Sequence, residues 1–192
     1  NKDYVLLHMK QIPLYFSNNK IYIMNTRMDI VLRTPEARKI YFSSTPDVTI
    51  DISKDPCNIT NKTGKWPEIY RTGMDYDDCW PQRCVNNKGQ LVYAFAVDHS
   101  LYIYNNDSLI KPIQAKSKYF TKATPYPDDS LGHFSFKKKY WVTESRYEKL
   151  IYDTYRDLYY KIVTHATEYE NEDGMTVKSV SDKPWSVMII NA

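Results

Sequence analysis

The chain has 192 residues with a net charge of +3; 42% of them are hydrophobic and 26% charged, which suits one domain over 1–192 with a core of its own. The positive charge is too small and scattered for nucleic acid, whose binders carry a dense basic stripe, and no run of about twenty apolar residues offers a membrane span. With only five Gly, a glycine-rich phosphate loop is disfavoured, and no cofactor is called for.

Aromatic residues reach 15%, and 18 of the side chains are Tyr, a residue that favours strands and amphipathic surfaces, so a β-rich protein with a contact surface is expected. Residues 4–9 read as a buried strand ended by Pro13. Residues 14–16 and 21–24 form a tight hairpin about Asn18 and Asn19, because Asn tolerates the left-handed backbone that such a turn needs. Two further strands are predicted at 29–33 and 39–43, and 47–52 alternates with period two.

Residues 53–88 read as an excursion from the sheets, and it holds Cys57, Cys79 and Cys84. A structureless loop of that length would be unusual, so the cysteines are expected to pin it, Cys57 pairing with Cys79 or Cys84. The third thiol would then be open to a disulfide-linked dimer. Asn58 and Asn61 head back-to-back glycosylation triplets there, and Asn106 heads a third. Sequons beside clustered cysteines suggest a secreted or extracellular glycoprotein. The start at Asn1, without Met, reads as a processed or trimmed chain.

Strands are predicted again at 90–98, 100–105, 109–114, 117–121 and 133–142, then a long helix over 143–165, and closing strands at 175–180 and 185–190. The helix reading rests on a capping box, Ser145 with Glu148, and on Tyr147, Leu150, Ile151, Tyr155, Leu158 and Ile162 falling on one face. The fold class that follows is β-rich α+β, with antiparallel sheets in two sandwich-like layers and one long helix near the C-terminus packed on a sheet face. Paired aromatic strands recur at 14–23, 93–104 and 134–141, about 80 and about 40 residues apart, and this pattern resembles hemopexin-type blades. The resemblance implies a four-bladed propeller, although the terminal cysteines that close such a ring are absent.

No short catalytic motif is present. His8, His99, His133 and His165 are scattered, no metal site is indicated, and Asp75, Asp77 and Asp78 lack the spacing of a calcium loop, which leaves a solvated acidic loop. Asp98-His99-Ser100 cannot form a relay, since neighbours on a strand point to opposite faces. A paired-carboxylate glycosidase would assemble only in the fold. Trp66, Tyr70, Arg71, Tyr76, Trp80 and Arg83 are the residue types that dominate interface hot spots, and they are taken as the partner-binding surface. The leading expectation is therefore a secreted protein-binding module with an extracellular protein partner, in a pathogen–host or cell-surface setting. The alternatives are a glycan-binding protein or glycoside hydrolase, and a self-assembling structural or virion-surface protein.

Overall fold

The computed structural model describes residues 5–6, 14–26, 32–53, 55–56, 58–77, 80–128, 134–170, 174 and 177–192. Asn18 and Asn19 both take positive φ, 50° and 57°, and form a two-residue turn between β2 (Tyr15–Ser17) and β3 (Lys20–Thr26). A short β1 (Val5–Leu6) also pairs with β3. The next element, α1 (Pro35–Ser43), is a helix where residues 39–43 suggested a strand. Thr34 caps it, accepting the Ala37 N–H at 3.2 Å, and Pro35 sits in the first turn, where its missing N–H costs nothing. β4 (Asp47–Asp51) and β5 (Asn58–Thr63) then complete an antiparallel first sheet.

The short helix α2 (Glu68–Arg71) leads to the second sheet, an up-and-down meander of β6 (Gln82–Val85), β7 (Leu91–Ala94), β8 (Ser100–Asn105) and β9 (Ser108–Gln114). Residues 53–88 thus contain β5, α2 and β6. Residues 117–121 form no strand, and α3 (Phe134–Thr143) is a helix where an aromatic strand was expected. Lys183 donates to the carbonyls of Trp141 at 2.8 Å and Glu144 at 2.6 Å, supplying a cation at the C-terminal end of α3.

The third sheet corrects the largest expectation. Residues 143–165 form an antiparallel hairpin, β10 (Arg146–Asp153) with β11 (Leu158–Thr164), to which β12 (Trp185–Asn191) adds. A bulge between Tyr147 and Lys149 shifts the register by one residue, so Tyr147 and Leu150, three apart, are both buried and imitate a helical step. In β11 the buried set is Tyr159, Lys161 and Val163; Leu158 and Ile162 face the other way. Asp153 holds the turn, accepting the N–H groups of Tyr155 at 2.9 Å and Arg156 at 3.1 Å.

The fold is β-rich α+β, with three antiparallel sheets and short helices where one long helix was expected. The second sheet lies between the others, and β7 is buried on both faces. Leu91, Tyr93 and Tyr104 pack with Tyr22, Tyr41, Phe42, Trp66 and Tyr70 on one side, while Val92, Ala94, Leu101 and Ile103 meet Leu150 and Tyr159 on the other. The first strand of the second sheet, β6, touches β2 on one side and β10 on the other. Serial meanders whose leading strands adjoin are the arrangement of propeller blades. There are three such sheets, and the predicted third aromatic pair belongs to α3, so four hemopexin-like blades are not present among the described residues.

Candidate functional site

α1, α2 and segment 72–77 enclose a cleft of about 200 Å³, lined by Leu32, Arg38, Phe42, Tyr70, Asp75, Tyr76 and Asp77. Its aromatic wall is part of the core: the Phe42 and Tyr70 ring centroids are 5.2 Å apart, and Tyr70 meets Tyr76 at 5.9 Å. α1 turns Phe42 and Arg38 inward, four residues apart on one helical face. Arg38 is buried and held from several directions: Nε donates to Gly73 O at 2.6 Å, Nη1 to Leu32 O at 3.1 Å, and Nη2 to Asp128 Oδ1 at 2.6 Å. Gly73 has φ +89° and lies so close to α1 that a Cβ there would stand 2.8 Å from Lys39 Cε and 3.0 Å from the Pro35 carbonyl.

Asp75 Oδ2 lies 3.9 Å from Arg38 Nη1, and its Oδ1 accepts the Asp77 N–H at 2.7 Å. Burial raises the Asp75 carboxyl above its ordinary pKa, against the pull of that N–H and of Arg38. Asp77 is otherwise engaged: its Oδ2 accepts a hydrogen bond from Trp141 Nε1–H, and its Oδ1 pairs with Lys137 Nζ at 2.8 Å. A second cleft of about 220 Å³ is lined by Lys65, Trp66, Pro67, Glu68, Tyr102, Tyr104 and Leu109. Trp66 also stacks obliquely on Tyr70 at 5.5 Å, and its buried Nε1 has no hydrogen-bond partner.

The predicted contact surface is mostly interior. Trp66, Tyr70, Tyr76 and Arg83 are buried, so they cannot anchor a partner on a flat surface; Arg71 and Trp80 are half-buried. Arg83 instead forms an ion pair with buried Asp47. Tyr70 and Tyr76 do reach the first cleft and Trp66 the second. Arg38 and Phe42 were missed because α1 read as a strand, and the Thr34-Pro35 start was the available signal; Asp128 lies ninety residues further on and meets Arg38 only in the fold. Asp75 and Asp77, expected in a solvated loop, are half-buried at the cleft, and Asp78 lies outside the described residues.

Cys84 is a free, buried thiol in the core between the second and third sheets, so it takes part in no disulfide. Of the two pairings expected for Cys57, the one with Cys84 is therefore not formed, and the one with Cys79 falls on residues outside those described. Cys57 and Cys79 lie outside the described residues. Asn106 is exposed in the β8–β9 turn at φ 53° and accepts from Lys20 Nζ at 2.9 Å. Asn58 and Asn61 belong to β5, and their side chains lie outside the described set. Among the described residues no three His, Cys, Asp or Glu side chains converge as a metal site, and no helix is long and apolar enough to cross a membrane.

Serial antiparallel sheets carrying a helix-walled cleft define a β-rich fold, and comparison gives its family. The family model described as "Domain of unknown function (DUF4221)" matches residues 80–189, more than half of the chain, and the chain belongs to that family. A DUF4221 member from Bacteroides vulgatus ATCC 8482, solved by crystallography at 1.75 Å, is similar with a TM-score of 0.62 and 19% identity over 93% of this chain and 48% of that one. The chain therefore spans about half the length of that solved relative. No curated protein matches.

Proposed function

We propose that the chain is a binding protein that takes a small polar ligand of the saccharide class in the cleft between α1, α2 and segment 72–77. The observation that carries this reading is the pairing of a guanidinium donor, Arg38, and a carboxyl, Asp75, with the rings of Phe42, Tyr70 and Tyr76 around one cavity of about 200 Å³. Hydroxyls of a sugar need both donors and acceptors, and its C–H face packs on aromatic rings. The other carboxyl of the lining, Asp77, is engaged by Trp141 and Lys137, and the reading is confined to binding. An extracellular setting is part of the proposal and rests on the sequons, of which Asn106 is exposed. Glycan-array screening followed by calorimetry tests it. A saccharide should bind the wild-type chain, and Asp75→Asn should weaken it at least tenfold with an unchanged circular dichroism spectrum. Absence of any saccharide binding, or equal affinity in the variant, would overturn the reading.

A further inference from the structure

The charges around the cleft of α1, α2 and segment 72–77 do not balance. Arg38 is matched by Asp128, whose Oδ1 lies 2.6 Å from Nη2, and Asp77 is matched by Lys137 at 2.8 Å. Asp75 is the carboxyl left over. Arg38 Nη1 stands 3.9 Å from its Oδ2, and that nitrogen already donates to Leu32 O at 3.1 Å. Oδ1 accepts the Asp77 N–H at 2.7 Å, whereas Oδ2 accepts no hydrogen bond among the described residues. The backbone beneath this carboxyl is fixed, because the Tyr126 N–H donates to Asp75 O at 2.7 Å in an antiparallel bridge. The Asp75 side chain keeps 17% of its surface exposed, so it can be reached from the cleft that it lines. Three rings border the same cavity: Phe42 and Tyr70 are inclined at 48° with centroids 5.2 Å apart, and Tyr70 and Tyr76 at 68° and 5.9 Å. Rings set at such angles enclose a corner instead of offering one flat platform. Several rings and one carboxyl around a cavity suit an ammonium group, which is attracted by the ring quadrupoles and neutralised by the acid.

We propose that the ligand of this cleft is an amino sugar, whose ammonium pairs with Asp75 Oδ2 beside the rings of Phe42, Tyr70 and Tyr76. This rests on the saccharide reading above and specifies which saccharide. A neutral sugar in the same place would leave the Asp75 carboxylate without a counter-charge, and an acidic one would set a second carboxylate against it. The Arg38 charge does not oppose the ammonium, since Asp128 offsets it. Burial raises the Asp75 carboxyl above its ordinary pKa; a bound ammonium lowers it again and keeps the group ionised in the complex. An N-acetylated sugar lacks the charge and is disfavoured on the same ground.

Titration calorimetry of the chain with glucosamine, N-acetylglucosamine, glucose and methylammonium, at about pH 6 where an amine is protonated, tests the proposal. Glucosamine should bind the wild type at least tenfold more tightly than each of the other three. Asp75→Asn keeps the size of the side chain and removes its charge, so glucosamine should fall to the affinity of glucose while the circular dichroism spectrum stays native. Glucose or N-acetylglucosamine binding as tightly as glucosamine would overturn the ammonium assignment and leave the saccharide reading standing. Methylammonium binding as tightly as glucosamine would overturn both, because the sugar ring would then contribute nothing. Binding by none of the three sugars would likewise overturn both. A preference for glucosamine that survives in Asp75→Asn would overturn the pairing with Asp75.

Discussion

Arg83 on β6 reaches Asp47 on β4, and the pair ties the second sheet to the first where both residues are buried. The other Asp47 oxygen accepts from the Tyr93 hydroxyl at 2.6 Å. Burial pushes the Asp47 carboxyl up, while the Arg83 charge and the Tyr93 hydrogen bond hold it down. Arg83→Met should lower unfolding free energy by about 3–5 kcal/mol, because an unpaired carboxylate is left in the core. Asp47→Leu combined with Arg83→Met should recover most of that loss. Urea denaturation of the two single variants and the double variant checks both statements.

Lys161 gives stability a rising pH dependence. It points into the core, donates to Asp98 O at 3.1 Å, and lies 3.5 Å from the Tyr147 ring centroid. The Tyr147 hydroxyl is in turn 2.7 Å from His99 Nδ1. Burial lowers the Lys161 pKa from 10.5 to about 7, so between those values the unfolded chain binds the proton that the folded chain lacks. Stability should therefore climb as pH rises from about 7 towards 10.5, and fall back as pH drops through the folded value. Lys183, lowered to about 8, acts in the same direction. Melting temperatures of the wild type and Lys161→Met against pH isolate Lys161: its share of the slope should vanish in the variant.

The Cys84 thiol, pushed by burial up to about 12, should resist alkylation at pH 8 in the native protein and react on unfolding. Mass spectrometry after iodoacetamide, with and without denaturant, checks this. A Cys84 label acquired at the rate of a free thiol in the native state would contradict its place between the sheets.

Val163 is buried, whereas Leu158, which the helix reading placed inside, is not. Val163→Asp should unfold the chain or abolish soluble expression, since burying an unpaired charge costs several kcal/mol against a total stability of about 5–15. Leu158→Asp should be much milder. Asp153→Ala, harmless on a helix surface, should instead lower the melting temperature by releasing the β10–β11 turn. Thermal melts of the three variants decide between hairpin and helix.

Sequence alone determined the local features that depend on near neighbours. Asn18-Asn19 signalled a left-handed two-residue turn, the alternation of 47–52 signalled β4, and the aromatic and β-branched runs signalled a β-rich protein. The Thr34-Pro35 start marks α1 locally, while Ile40, Tyr41 and Phe42 within it imitate a strand. Tertiary structure decided the rest. The bulge after Tyr147 moves the buried set by one residue, and no local pattern separates that shift from a helical step. Trp66, Tyr70, Tyr76 and Arg83 suit a surface hot spot or a core equally by residue type; they became interior because α1, α2 and the first two sheets close over them. Arg38 and Asp75 meet at the cleft across 37 residues of chain, with Asp128 beyond them, a convergence fixed by sheet packing and helix placement rather than by spacing.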